Sequence, residues 1–332
     1  MKGFRARLQK SGKTYYYFDT GKKELPLGSD YVLAVKKWVD LTQEDAPDVA
    51  TFIELADRYE REVLVLKAKS TQRVQKSDIK DLRKFFSMPT PAPLNQIRPV
   101  HIYKLLEWKK ASPTTANRLK RVFSHMFNKA RAWGYTENEN PVTGIEGFEL
   151  GKREVDVTDE VFKAVWLCAP PSLRDAMDLA YLTGQRPGDV LEFTEHQIVD
   201  GVFIIKKQAK TGKPLRIRVE GEFGQLLDRI SARKAGHKVW CANIAVNQWG
   251  MRLTKITMRR QFVEARKAAA AANPKLAEDI KAMWFYDLRA KAADDTADDG
   301  GDQAAADLLG HDSVKTTQRH YLRRGKKVGP TR

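Results

Sequence analysis

Tyr321 ends the stretch GHDSVKTTQRHY, ten positions after His311, and its phenol can act as a nucleophile if the chain places the right groups around it. Groups of the right kind lie in three earlier stretches: Arg186 in TGQRPGDVL, Lys210 in AKTGKP, and Tyr286 with Arg289 in FYDLRAKAA. Attack of a phenol on a phosphodiester makes three demands. The nonbridging oxygens need fixed positive charge, the nucleophile needs alignment, and the departing 5′-oxygen needs a proton. Metal-dependent enzymes meet the first demand with carboxylates that hold magnesium. The sequence contains no convincing carboxylate set of that kind, so the charge is expected from arginine, which stays protonated and forks onto two oxygens. Arg186 precedes Pro187, a residue suited to the first position of a helix, where backbone N–H groups also favour an anion. Arg289 sits on an apolar helix start. Lys210 tops a predicted hairpin from which an ammonium can protonate a leaving oxygen. Each residue also has a plainer reading: Arg186 paired with Asp189, Arg289 paired with Asp287, Lys210 as an ordinary turn lysine, Tyr286 packed beside Trp284 and Phe285.

The whole chain fits an anionic partner. It has 332 residues, with 59 Lys and Arg against 42 Asp and Glu, for a formal net charge of +17. Such a surplus points to nucleic acid, with general solubility or an anionic membrane surface as alternatives. Hydrophobic residues make up 42%, enough for two or three domains with real cores. The two cysteines, Cys168 and Cys241, lie far apart, offer no zinc-ligand spacing, and are expected to be buried, reduced thiols of a cytoplasmic protein. No apolar run approaches the ~20 residues that span a bilayer, and MKGFRARLQKSGK has no apolar signal region.

Three segments must position the chemistry. Residues 1–45 alternate short strand-like runs, at 4–8, 15–18 and 24–27, with turn pairs, and continue into a helix from Tyr31. Arg5, Arg7, Lys22 and Lys23 decorate these strands and are candidate DNA contacts, a basic sheet being able to enter a groove; the alternative is a basic hairpin that binds nothing. EDAPDVA, at 44–50, reads as a linker. Residues 51–147 follow the helical period, with Phe52, Leu55, Ala56, Tyr59 and Val63 on one face and Leu119, Val122, Phe123, Met126 and Phe127 on another. Lys120 and Arg121 flank the second stripe as further DNA-contact candidates. Residues 155–332 mix helices with a predicted hairpin at 201–219. The run AADDTADDGGDQAAAD places five aspartates in nine residues, but its spacing fits no calcium loop, and it is expected to be a solvated helix end plus loop. The fold class is thus multidomain and mainly α, with a small β-sheet module, a helical bundle and a mixed α+β domain.

TGQRPGDVLEF, KTGK on a hairpin, YDLR and LLGHDSVKTTQRHY, in that order, resemble the catalytic domain of the tyrosine recombinases, the phage integrase family, over residues 155–324. The resemblance implies that Arg186 and Arg289 clamp a scissile phosphate and that Lys210 is the general acid. It further implies that His311 bonds the phosphate, that Tyr321 forms a 3′-phosphotyrosine link, and that Asp189 supports Arg186. The family usually has histidine three residues before the second arginine, where this chain has Tyr286. A phenol of pKa ~10 is a poor general base at neutral pH, so base assistance to Tyr321 has to come from His311 or from an arginine field that lowers the phenol pKa. By the same resemblance residues 51–147 are a helical, SAM-like core-binding domain and 1–45 an arm-type DNA-binding module. The resemblance also implies that the short basic tail after Tyr321 docks on a neighbouring protomer, the alternative being a frayed terminus that touches DNA phosphates. The implied function is site-specific recombination of double-stranded DNA at attachment sites by a homotetramer, as the integrase of a prophage or integrative element, in the bacterial cytoplasm at the nucleoid. It needs no cofactor or metal, and it can involve an excision factor and a host DNA-bending protein. The rival expectations are a chromosome- or plasmid-resolving recombinase, a type IB topoisomerase, and a catalytically impaired DNA-binding regulator.

Overall fold

The computed structural model describes residues 1–9, 12–42, 50–88 and 90–325. Most of the linker expected at 44–50 and the end of the basic tail, 326–332, lie outside the described residues. The chain divides into two compact units, Met1–Gly151 and Lys152–Arg332.

The first unit opens with an antiparallel sheet of β1 (Phe4–Leu8), β2 (Thr14–Asp19) and β3 (Glu24–Gly28), followed by α1 (Tyr31–Thr42). Alternation along β2 sends Tyr16 and Phe18 inward, where they meet Leu27, Ala34 and Trp38. The other face carries Arg5 opposite Tyr17 and Arg7 opposite Tyr15. A separate apolar core holds the helices α2 (Phe52–Glu62), α3 (Lys69–Phe86), α4 (Pro99–Trp108) and α5 (Pro113–Ala132). Thr51 and Glu54 form a reciprocal cap at the start of α2, which fixes where the bundle begins. Phe123 on α5 stacks against Phe52 and Phe86, joining three of the four helices.

In the second unit α6 (Asp159–Cys168) and α7 (Pro171–Thr183) lead to a one-turn α8 (Pro187–Val190). A sheet of β4 (Ile198–Val199), β5 (Val202–Ile205) and β6 (Leu215–Arg218) follows, antiparallel throughout. Then come α9 (Gly221–Ala235), α10 (Lys255–Ala272), α11 (Ala277–Ala282), α12 (Asp287–Leu309) and α13 (Val314–His320). Helix α7 ends at Gly184 and α12 at Gly310, both left-handed, with φ of 63° and 67°. The two turns pack so closely that a Cβ on Gly184 would lie 3.0 Å from Leu309, which explains glycine at the first.

Two sequence expectations change. The aspartate-rich run is not a helix end plus loop: α12 breaks only at Gly301 (φ 81°, ψ 170°) and resumes to Leu309. Asp298 and Asp299 are exposed as expected, whereas Asp294 and Asp295 are engaged by the fold. Asp295 pairs with Lys291 and Arg324, and Asp294 accepts the backbone N–H of Arg323. Cys168 is exposed rather than buried, and Cys241 is half-buried. Cys168 continues the buried Val161, Ala164 and Val165 stripe by spacing, but it is the last residue of α6, where the chain turns away at Ala169.

Candidate active site

Arg289 lies in the first turn of α12 and is fully buried. Its Nη1 donates to the Gly184 carbonyl at 2.6 Å and its Nη2 to the Leu309 carbonyl at 2.9 Å. Both carbonyls belong to the glycine-capped helix ends, so the turns seat the guanidinium. It therefore does not pair with Asp287, which instead holds Arg153 and Arg323. The guanidinium carbon lies 5.1 Å from the centre of the Tyr321 ring.

His311 follows the Gly310 turn. Its Nε2 is 3.1 Å from Arg289 Nη2 and its Nδ1 is 2.8 Å from Thr317 Oγ1. Burial first, then the charges of Arg289, Arg186 and Lys213, push its pKa down to about 4. The ring is thus neutral at pH 7. Arginine can only donate, so the network assigns Nε2 as acceptor and Nδ1–H as donor to Thr317.

Tyr321, just past α13, is buried, and its hydroxyl lies 2.6 Å from that of Tyr286. Burial pushes the Tyr321 pKa up, but the Tyr286 hydrogen bond and the charges of Arg289 and Arg186 outweigh it, and the net direction is down. Tyr286 moves the opposite way, pushed up to about 12 by burial and then by its bond to Tyr321. Of the two phenols Tyr286 keeps its proton and donates; Tyr321 is the one prepared to lose it.

Arg186 caps the one-turn α8, and its charge is felt by Tyr286, Arg289, His311 and Tyr321. Its Nη1 and the Nε of Arg289 are buried N–H groups without a hydrogen-bond partner. Among the described residues no hydrogen bond or ion pair joins Arg186 to Asp189. Asp189 is buried, and its Oδ1 accepts the Ala209 N–H at 3.0 Å, because the β5–β6 turn folds over α8. Lys210 stands next on that turn, exposed, and among the described residues its side chain makes no hydrogen bond or ion pair. The structure therefore gathers Arg186, Tyr286, Arg289, His311 and Tyr321, and leaves Lys210 at the edge.

The candidate DNA contacts differ among themselves. Arg5 pairs with Asp19 at 2.6 Å and Arg7 with Glu24 at 2.7 Å across the sheet. Lys120 donates to the Ile145 carbonyl at 2.6 Å and so serves the fold of the bundle. Lys22, Lys23 and Arg121 are exposed.

Sequence reasoning missed the polar groups behind the site. Gln185 and Gln208, both fully buried, bond each other at 2.6 Å. Asp287, also fully buried, holds Arg323 at 2.8 Å, two residues after Tyr321, and so anchors the chain that carries the nucleophile. The available signal was adjacency: Gln185 precedes Arg186, Gln208 lies two before Lys210, and Asp287 follows Tyr286.

Comparison with known proteins agrees. The sequence profile of the phage integrase family matches residues 156–327, which contain every candidate active-site residue. The chain is 28% identical over 344 positions to the integrase of Enterobacteria phage 434, covering 94% of this chain and 91% of that one. It is 30% identical over 228 positions to the integrase of Escherichia phage HK022, covering 66% and 60%. The structure of a lambda integrase dimer bound to a COC′ core site shares the fold, with a TM-score of 0.72 over 98% of this chain and 97% of that one, at 24% identity. With the profile spanning more than half its length, the chain belongs to the phage integrase family, the tyrosine recombinases, and is a site-specific DNA recombinase.

Proposed function

We propose that this recombinase is the integrase of a prophage or integrative element and that it cuts and rejoins double-stranded DNA at attachment sites through a 3′-phosphotyrosine at Tyr321. The observation that carries the reading is the pair of arginines with buried, unpartnered N–H groups, Arg186 Nη1 and Arg289 Nε, beside a tyrosine whose pKa is lowered. Buried donors without acceptors are costly, and an anion between them satisfies both. A scissile phosphate is that anion.

In the forward step Tyr321 Oη bonds to phosphorus as the bond from phosphorus to the 5′-oxygen breaks. Arg186 and Arg289 hold the charge on the nonbridging oxygens, which grows in the transition state. Lys210 Nζ gives its proton to the 5′-oxygen. The Tyr321 proton leaves to solvent, and Tyr286 keeps its own and donates it to the phenolate oxygen across the 2.6 Å contact. Tyr286 is thus a donor rather than a base, and His311, neutral and turned to Arg289, fixes that arginine. The phosphotyrosine keeps the energy of the phosphodiester, so the same groups run the reverse step with a 5′-hydroxyl as nucleophile. No metal or cofactor enters these steps.

We assign residues 51–147 to core-site binding and residues 1–45 to arm-type sites. Support for assembly comes from a relative: a lambda integrase tetramer has been seen bound to a Holliday junction. A homotetramer on DNA, an excision factor and a host DNA-bending protein complete the reading, in the bacterial cytoplasm at the nucleoid. None of the helices in the described residues is long and apolar enough to cross a membrane.

A covalent trapping assay tests this. Nicked duplexes tiled from the DNA flanking the gene are incubated without magnesium and run on denaturing gels. Wild type gives a protein–DNA adduct on one duplex, and Tyr321→Phe gives none. An adduct with Tyr321→Phe, or tight binding with no adduct on any duplex, contradicts the reading, the second outcome favouring a regulator. Relaxation of supercoils without site preference favours a topoisomerase. Full recombination after deletion of residues 1–45 favours a resolvase.

A further inference from the structure

The exposed Lys210 side chain has no bonding partner among the described residues, so its place depends on the turn between β5 and β6. That turn is held at its centre by a buried amide. Gln208 is fully buried, and its Nε2 donates to Gln185 Oε1 at 2.6 Å and to the Leu309 carbonyl at 3.2 Å. Its Oε1 accepts the Thr211 hydroxyl at 2.6 Å, from the far side of Lys210. Its backbone N–H bonds Lys213 and its carbonyl accepts from Gly212, both at 2.8 Å.

Each of these bonds reaches a different part of the site. Gln185 is the neighbour of Arg186 and donates onward to the carbonyls of Thr183 and Leu308. The Leu309 carbonyl is the one that also accepts from Arg289 Nη2, so Gln208 and Arg289 share an acceptor. Gly310, which leads into His311, lies so close that a Cβ there would sit 2.9 Å from Gln208 Nε2. One side chain thus touches the loop of the first arginine, the acceptor of the second, the turn of the histidine and the turn of the lysine. A leucine would fill the same space, so packing alone does not ask for an amide.

We propose that Gln208 is a positioning residue for Lys210. It locks the lysine turn to the two-arginine clamp, so that the proton donor and the phosphate charge clamp hold one relative geometry. The inference rests on the reading above in which Lys210 protonates the leaving 5′-oxygen. A displacement of about 1 Å in such a group costs on the order of 10²-fold in rate.

The test separates proton donation from everything else. The scissile position is first read from the wild-type adduct. A duplex is then made with sulfur in place of the bridging 5′-oxygen at that position. Cleavage of it breaks the phosphorus–sulfur bond, and the sulfur departs as a thiolate, which at a thiol pKa of about 8.5 needs no general acid. Single-turnover rates are measured on both duplexes for wild type, Lys210→Ala, Gln208→Leu and Thr211→Val. Gln208→Leu is expected to cleave the oxygen duplex roughly 10- to 100-fold more slowly and the sulfur duplex within about threefold of wild type. Thr211→Val removes only the bond on the exposed side of the turn and shows the same pattern at smaller size. It decides the matter if Gln208→Leu does not fold. Equal losses on both duplexes, or no loss on oxygen, while Lys210→Ala is rescued by sulfur, overturn the proposal. If Lys210→Ala is not rescued, the assignment of Lys210 as the acid fails, and the role of Gln208 falls with it.

Discussion

Arg118 in the N-terminal unit and Arg186 in the C-terminal unit are both half-buried arginines, and they are used in opposite ways. Arg118 Nε lies 2.9 Å from both oxygens of the buried Asp78, a pairing that ties α5 to α3. Arg186 has a buried Nη1 with no acceptor and stands beside a second arginine. The first arginine is satisfied by the fold. The second, with Arg289, leaves donor capacity inside the site, and that is a property of groups that wait for a ligand. A net charge of +17 says nothing of this division. What matters for function is which positive groups have been left without internal partners.

Paired substitutions separate the two uses. Arg186→Gln should lower the rate of covalent adduct formation by about 10²- to 10³-fold, the range for removing one preorganised donor. Its melting temperature should hold or rise, because an unpaired donor and a like-charge contact are removed; a clear fall in melting temperature would place Arg186 with Arg118. Arg118→Met should do the reverse. It strands the Asp78 carboxylate and should lower stability by roughly 3 kcal/mol in urea titration. The surviving folded enzyme should cleave within a few-fold of wild type.

Proton linkage gives a smaller and more local effect. The folded His311 pKa, about 4, lies below its ordinary 6.5, so the unfolded chain binds the proton more readily. Stability should therefore fall as the pH drops from 6.5 towards 4. His311→Gln should flatten that part of the curve of melting temperature against pH. An unchanged slope would mean that the imidazole is not held neutral between the arginines.

The smallest effect is expected in the N-terminal sheet. Arg5 and Arg7 are engaged by Asp19 and Glu24, whereas Lys22 and Lys23 are exposed. Replacing both lysines with glutamine should reduce the salt dependence of DNA binding by up to about one phosphate contact per residue. Replacing both arginines should reduce it less. The opposite ranking would show that DNA pulls the arginines from their exposed pairs, which are worth only about 0–1 kcal/mol each.

The sequence was most legible where local chemistry decides. Turn pairs and strand-like runs marked the N-terminal sheet, the helical period marked α2 and α5, and the ordered motifs marked Arg186, Arg289, His311 and Tyr321. It was least legible where the answer depends on long-range partners. Asp189 stands three residues after Arg186, yet the carboxylate holds Ala209, because the β5–β6 turn folds over α8. Asp294 and Asp295 read as solvent-facing because their partners, Arg323 and Arg324, lie far along the chain. Gln185 and Gln208 carry no motif, since a buried amide is recognised only by what surrounds it. Tyr286 was visible as a departure from the family pattern, but its direction of donation was not. That follows from the 2.6 Å contact and from opposite pKa shifts in two adjacent phenols.

That division of labour between the phenols is the centre of the account, and the pH dependence of adduct formation tests it most directly. Single-turnover rates would be measured from pH 6 to pH 10 for wild type and Tyr286→Phe, with the attached tyrosine identified by mass spectrometry of the trapped peptide. The account predicts attachment at Tyr321 in both proteins. It also predicts a rate loss of about tenfold at pH 7 in Tyr286→Phe, matching one lost hydrogen bond to a charged group. The rising limb of the profile should move to higher pH, so that the two rates converge in alkali. Identical profiles, or attachment at Tyr286 in wild type, would contradict it.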